Sequence, residues 1–300
     1  MDPNPDTRDQ NVGDIRLAIK SVHVLSSGSA EQHKEHRYGT WMPRTMWALL
    51  SRSWVKLPIN YFLIEHRNGI FLFDTGLDPK ITFDPTYISS PIGRFLLRRI
   101  FRFHPMRESR LDKVVTDAGF NPSEIKTAVI SHLHFDHVGG IDQIPQAGLL
   151  VSDREWAQLS LPHPEREWVL RDHIEIPGAQ WHPIQFQHSD DPLLHMFDGV
   201  FDVAGDGSMV LLPTPGHTPG SLSMLIRREG WSPILLVGDL TYEAGLLEKN
   251  ITPGTGDAAE LRRSYAKVRG LKEQLPDLVI VPSHDFAASK DIAHATGLLH

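Results

Sequence analysis

The chain predicts an α+β fold: two β-sheets stacked face to face, each with helices on its outer side. Three observations carry this expectation. β-rich runs and helical stretches recur in two similar sets, one in each half of the 300 residues, and sheets with one apolar face bury it most simply against each other. The second half is rich in short apolar runs separated by turn residues. A content of 40% hydrophobic and 22% charged residues is that of a globular chain long enough to bury an extensive core.

The elements follow in order. Residues 15–25 form a strand or a pair of short strands, and 26–57 is a long segment carrying Trp41, Met42, Met46, Trp47 and Trp54. Runs 60–65 and 70–73 flank Arg67-Asn68-Gly69, a hairpin signal that ends at Asp74-Thr75-Gly76. Residues 79–107 form a second insertion. A helix is expected at 111–118 with Gly119 as its C-cap. Strands follow at 127–131 and 149–152, then a helix opening with Asp153 near its cap. Further strands are read at 184–187, 196–203, 209–213, 221–227 and 233–237, a long helix at 257–274 and a last strand at 278–281. All of this belongs to one domain, 15–300, preceded by a polar tail, 1–14.

Composition bounds the function. The tail has no apolar stretch, so a secretory signal is not expected and a cytoplasmic location is. No apolar run approaches membrane-spanning length, and stable membrane anchoring is not expected. The chain has no Cys, which excludes disulfides and thiolate metal ligands. A formal charge of −7 argues against nucleic acid, although bound divalent cations would locally reverse that charge.

The densest chemistry is His132-Leu133-His134-Phe135-Asp136-His137, directly after the strand 127–131 and before Gly139-Gly140. Residues two apart in a strand share a face, so His132 and His134 can reach one metal ion. Asp136 and His137 come one turn later and can reach a second. Imidazoles and a carboxylate are costly to place at a strand end for packing alone. Three more potential ligands end apolar strands: His217 in the loop Thr214-Pro215-Gly216-His217-Thr218-Pro219-Gly220, Asp239 after Leu235-Leu236-Val237-Gly238, and His284 after Val279-Ile280-Val281-Pro282-Ser283. Strand C-terminal ends are where α/β sheets commonly hold ligands.

In the order Asp74, His132-x-His134-x-Asp136-His137, His217, Asp239, His284, the sequence resembles the metallo-β-lactamase superfamily, over roughly residues 15–285. The resemblance implies an αββα sandwich with two metal ions at one edge. By it, His132, His134 and His217 bind the first ion, Asp136, His137 and His284 the second, and Asp239 bridges both. The implied cofactors are two divalent ions, zinc first, with iron, cobalt or manganese as alternatives. Gly238-Asp239-Leu240-Thr241-Tyr242 looks like the matching segment of the N-acyl-homoserine lactonases, whose Tyr hydrogen-bonds the lactone carbonyl. The implied reaction is opening of a small-molecule lactone by a metal-bridged hydroxide. Tyr242 would steady the oxyanion and Asp136 deliver a proton to the departing alkoxide. Other hydrolases of the superfamily, such as thioesterases of the glyoxalase II type or aryl-ester and phosphodiester hydrolases, are the alternative. A non-catalytic metal-binding protein is a further one. Asp74 is expected to accept the free N–H of a ligand imidazole.

An acyl chain needs an apolar wall, and Trp41, Met42, Met46 and Trp47 are the candidates, in a loop long enough to reach over the metals. Residues 91–106 are amphipathic and basic. They read as a helix packed on its own core, a homodimer contact or a membrane-surface helix, with the first two preferred.

Overall fold

The computed structural model describes residues 17–105 and 108–298; the expected polar tail, 1–14, lies outside them. Seven strands form one mixed sheet: β1 (Ile19–His33), β2 (Trp54–His66), β3 (Gly69–Phe73), β4 (Phe101–Pro105), β5 (Ile125–Val129), β6 (Gly148–Ser152) and β7 (Gln180–Ile184), in the order β4-β1-β2-β3-β5-β6-β7. Five more form the second: β8 (Phe201–Asp202), β9 (Met209–Pro213), β10 (Leu222–Ile226), β11 (Ile234–Leu236) and β12 (Val279–Val281), in the order β12-β11-β10-β9-β8.

The two-residue period of a strand sorts the core into layers. Phe62, Ile64, Phe71 and Phe73 of the first sheet meet Met209, Leu211, Leu222, Met224 and Leu236 of the second. The alternate residues Leu63, Ile70, Leu72 and Ala128 turn outward, under a layer that includes Leu111 and Val115 of helix Leu111–Asp117. On the far side, Val210, Leu212, Leu225 and Leu235 pack against Leu261, Tyr265 and Val268 of helix Ala258–Gln274. The sandwich with flanking helices is therefore the observed fold.

Several boundaries differ from expectation, and the strand read at 184–187 runs over Gln180–Ile184 instead. β1 continues to His33, through a register shift between Ser26 and Ser29, so part of the 26–57 segment lies in the sheet. The polar run Ser26-Ser27-Gly28-Ser29 has no apolar alternation to reveal a strand. Within the second insertion, helix Pro91–Ile100 gives way to β4, which pairs with β1. The strand expected over 196–203 shrinks to Phe201–Asp202, after Gly199 at a φ of 139°.

Two parallel pairs position the site. β3 and β5 are parallel in one sheet, β11 and β12 in the other. Their C-terminal ends deliver Asp74, the 132–137 motif, Asp239 and His284 to one edge.

Candidate metal centre

Each ligand candidate leaves a strand on a backbone that its neighbours pin. Leu222 N–H donates to the Ser131 carbonyl at 3.1 Å, tying the motif loop of one sheet to β10 of the other. Ser283 N–H donates to the Gly238 carbonyl at 3.1 Å, which sets the Asp239 and His284 loops side by side. Asn60 N–H in turn reaches the Ser283 carbonyl, also at 3.1 Å. Gly139 has to be glycine because of close approach: a Cβ there would sit 2.1 Å from the Asp78 backbone nitrogen.

The side chains converge. His132 Nε2 and His217 Nε2 each lie 3.0 Å from His134 Nδ1. On the other side of the site, Asp239 Oδ1 lies 3.1 Å from His284 Nε2 and 3.3 Å from His137 Nε2. Its second oxygen, Oδ2, is 3.5 Å from His217 Nε2. Asp136 Oδ2 is 3.6 Å from His284 Nε2, and Oδ1 is 3.9 Å from His137 Nε2. The donor atoms group as His132, His134 and His217; as His132, His137 and Asp239; and as Asp136, His137 and His284. The carboxylate of Asp239 thus has one oxygen toward each end of the cluster.

This donor set fits metal ions. His137 Nε2 and Asp239 Oδ1 are buried with no hydrogen-bond partner, an arrangement that costs about 1–3 kcal/mol per group unless something is coordinated there. Burial first, then neighbouring imidazoles, hold His132 well below its ordinary value. Burial likewise lowers His217, against the pull of Asp239, and lowers His134 to about 4, against Asp136 and Asp239. These three rings are therefore neutral at pH 7, with lone pairs free to coordinate. Burial opposes ionisation of Asp239, but His284 and His137 outweigh it and hold the carboxyl well below the usual range.

A second tier of contacts orients the rings. Asp74 takes a left-handed φ of 63° at the end of β3. Its carboxylate accepts from His137 Nδ1 at 2.8 Å, from Ser131 N–H at 2.7 Å and from Ser131 Oγ at 2.9 Å. This is the imidazole contact expected of it. His284 Nδ1 donates to the Pro58 carbonyl at 2.7 Å, and His134 is hydrogen-bonded to the Glu167 backbone. Such partners set which ring nitrogen is left for the metal.

Sequence reasoning missed Glu155. Ser152 caps the short helix Asp153–Trp156, with Asp153 in its first turn as expected. The pattern Ser152-x-x-Glu155 looks like a capping box, in which the Glu side chain folds back on its own helix. Here the fully buried carboxylate instead accepts from Leu133 N–H at 2.9 Å, Thr218 Oγ1 at 2.7 Å and Gly220 N–H at 3.0 Å. Leu133 lies between two ligand candidates and Thr218 follows a third, so one carboxylate clamps both loops. Burial pushes it up, against these hydrogen bonds. Glu155→Gln turns an acceptor into an N–H facing a donor. It is expected to cost about 2–3 kcal/mol in urea unfolding and to weaken metal retention about 10–100-fold, read by competition with a chelating dye. Unchanged stability and retention would dismiss the clamp.

Beside the cluster lies a cavity of about 490 Å³. Ala30, Leu57, Phe101, Phe103, Phe135 and Trp168 make its apolar wall, and His134, Asp136, His217, Asp239 and His284 line its other end. Tyr242 is buried in the same lining, its ring stacked on His284 at 5.5 Å between centroids. Burial, then Asp239 and Asp136, hold its phenol well above 10, so the O–H is a donor at neutral pH. His36, which sequence reasoning also passed over, is in edge-on contact with Tyr242 at 5.7 Å. Burial brings His36 down to about 3, and its Nδ1 has no hydrogen-bond partner.

None of the four residues suggested for the acyl wall lies in the lining. Trp41 is 90% exposed and Met46 is exposed, while Met42 is half-buried. Trp47 is buried behind the wall, against His33 and His36. The wall comes instead from β1, β2, β4, the motif loop and Trp168, which occupies a left-handed turn at a φ of 63°.

Comparison with known proteins gives the following. The model of the metallo-beta-lactamase superfamily matches residues 54–284. An N-acyl homoserine lactonase, AttM, of Rhizobium radiobacter is 29% identical over 238 residues, covering 77% of this chain and 82% of the relative. A probable metallo-hydrolase of Mycobacterium tuberculosis is 28% identical over 252 residues, covering 77% and 76%. A solved N-acyl homoserine lactone hydrolase, with the product N-hexanoyl-L-homoserine at its catalytic metal centre, superposes with a TM-score of 0.71 at 21% identity, over 91% of this chain and 96% of that one.

Proposed function

Because the chain belongs to the metallo-β-lactamase superfamily, we propose that this metal-dependent hydrolase opens the lactone ring of N-acyl homoserine lactones. In this reading His132, His134 and His217 hold one divalent ion, Asp136, His137 and His284 hold another, and Asp239 lies between them. The observation that carries the lactone reading is the place of Tyr242, buried against His284 where the ligand cluster meets the apolar cavity.

Bound there, divalent ions would supply Lewis acidity, activating a water near neutral pH and polarising a carbonyl. The protein's own groups do the rest. Tyr242 donates its O–H to the carbonyl oxygen as negative charge develops on it. Asp136, part-exposed in the cavity lining, takes up the proton that the attacking water gives up and passes it to the departing ring oxygen. Phe101, Phe103, Phe135 and Leu57 take the acyl chain out of water and exclude solvent from the reacting carbonyl. Zinc is the first choice of ion, with iron, cobalt and manganese compatible with the same ligands.

The test is ring opening of hexanoyl and decanoyl homoserine lactones by zinc-loaded protein, followed as acid release at constant pH. One proton per lactone, removed by chelation, is expected. Hydrolysis of thioesters or aryl esters with neither lactone opened would replace this reading by another hydrolase of the superfamily.

A further inference from the structure

The two insertions present an apolar face that nothing among the described residues covers. Helix Arg44–Leu50 turns Met46, Leu49 and Leu50 outward, at positions i, i+3 and i+4. Helix Pro91–Ile100 does the same with Ile92, Phe95 and Leu96, and Leu97 is its one buried residue. The two helices adjoin, because Arg99 donates to the carbonyls of Leu49 and Ser51. Trp41, 90% exposed, precedes the first. Phe95 is 65% and Ile92 73% exposed, so the second helix has its apolar stripe facing water. The helix packs on its own core through Leu97 alone, and the rest of its stripe is left to water.

The charge on this face is as one-sided as its hydropathy. Residues 36–53 and 85–105 together contain seven Arg and no Asp, Glu or Lys, in a chain whose formal charge is −7. Several of these arginines are spoken for: Arg37 by Glu243, Arg44 by Glu167 and Arg102 by Glu31. Arg52 and Arg98 are exposed and make no ion pair among the described residues. A second copy seated on this face about a twofold would set like charges against each other. Apolar side chains flanked by arginine, with no carboxylate in either segment and Arg52 and Arg98 left unpaired, are instead the pattern of a helix lying in the headgroup layer of an anionic bilayer.

We propose that the two insertion helices dock reversibly on an anionic lipid surface, with Met46, Leu49, Leu50, Ile92, Phe95 and Leu96 entering the interface and Arg52 and Arg98 meeting lipid phosphates. No described helix is long and apolar enough to cross a membrane, so the contact is peripheral. One short amphipathic helix binds weakly, and two side by side with added basic charge bind usefully. The same segments supply Arg44, Phe101 and Phe103 to the cavity. Docking therefore holds the cavity close to the bilayer, where long apolar chains partition.

The test is flotation of the full-length protein with vesicles of phosphatidylcholine alone, or with one third phosphatidylglycerol, in 0.1 M and 0.5 M salt. Binding to the anionic vesicles that falls in high salt is expected. Leu49→Asp/Phe95→Asp should weaken it at least tenfold, and Arg52→Glu/Arg98→Glu about as much. All four positions are exposed and outside the cavity lining, so thermal unfolding should not move. Wild-type protein that stays unbound on both vesicle types overturns the proposal. So does a dimer in sedimentation that Leu49→Asp/Phe95→Asp converts to monomer, since the face would then join two copies of the chain. No lactone is present in these measurements, so their outcome is independent of the proposed reaction.

Discussion

Asp239→Ala is expected to strip the protein of one or both metal ions and to lower kcat/KM at least ~10³-fold, since a metal ion's several kcal/mol of stabilisation corresponds to that factor. The reason is positional. Asp239 has one oxygen toward His284 and His137 and the other toward His217, so no neighbouring side chain can stand in for it. Without it, the imidazoles of the two groups face each other with no anion between them to offset two divalent charges. The measurement is metal content per chain by mass spectrometry after exhaustive buffer exchange, beside the rate on one lactone. Two ions retained at full occupancy would remove Asp239 from the bridging role.

Tyr242→Phe separates chemistry from assembly. The phenol lies within the cavity lining, its ring stacked on His284. The expected result is a fall in kcat of about 10²–10³-fold, the range for losing one donor to a developing oxyanion. KM and metal content should change little, because the ring and its stacking remain. Equal rates for the two proteins would take Tyr242 out of the reaction.

How legible the site was depends on where each residue sits relative to an apolar run. His132, Asp239 and His284 each follow a short apolar run, Ala128-Val129-Ile130, Ile234-Leu235-Leu236-Val237 and Val279-Ile280-Val281, so the polar residue beyond it stood out. His217 was marked by the prolines and glycines around it. Glu155 was hidden because a buried clamp and a helix cap are written with the same Ser-x-x-Glu spacing. The cavity wall was hidden for a different reason. Phe101 and Phe103 belong to a strand that pairs with β1 across a polar stretch, and Trp168 arrives by a left-handed turn. Phe101-Arg102-Phe103-His104 alternates as a strand does, but only the sheet order shows that its apolar side faces the cavity. The insertion helices show the converse: their amphipathic spacing was plain, but which side would face water was decided by the tertiary fold.

The ligand candidates come from both sheets, the 132–137 motif from the first and His217, Asp239 and His284 from the second. Ions held by such a set act as cross-ties between the two leaves of the sandwich. They bind the closed form and have no matching site in the opened chain, so loading and resistance to unfolding are one equilibrium. With free metal at a thousand times its Kd, the tie is worth about 4 kcal/mol per site. A cell short of metal would therefore hold a protein that is easier to unfold and to digest as well as idle, so that metal supply would govern its lifetime together with its rate.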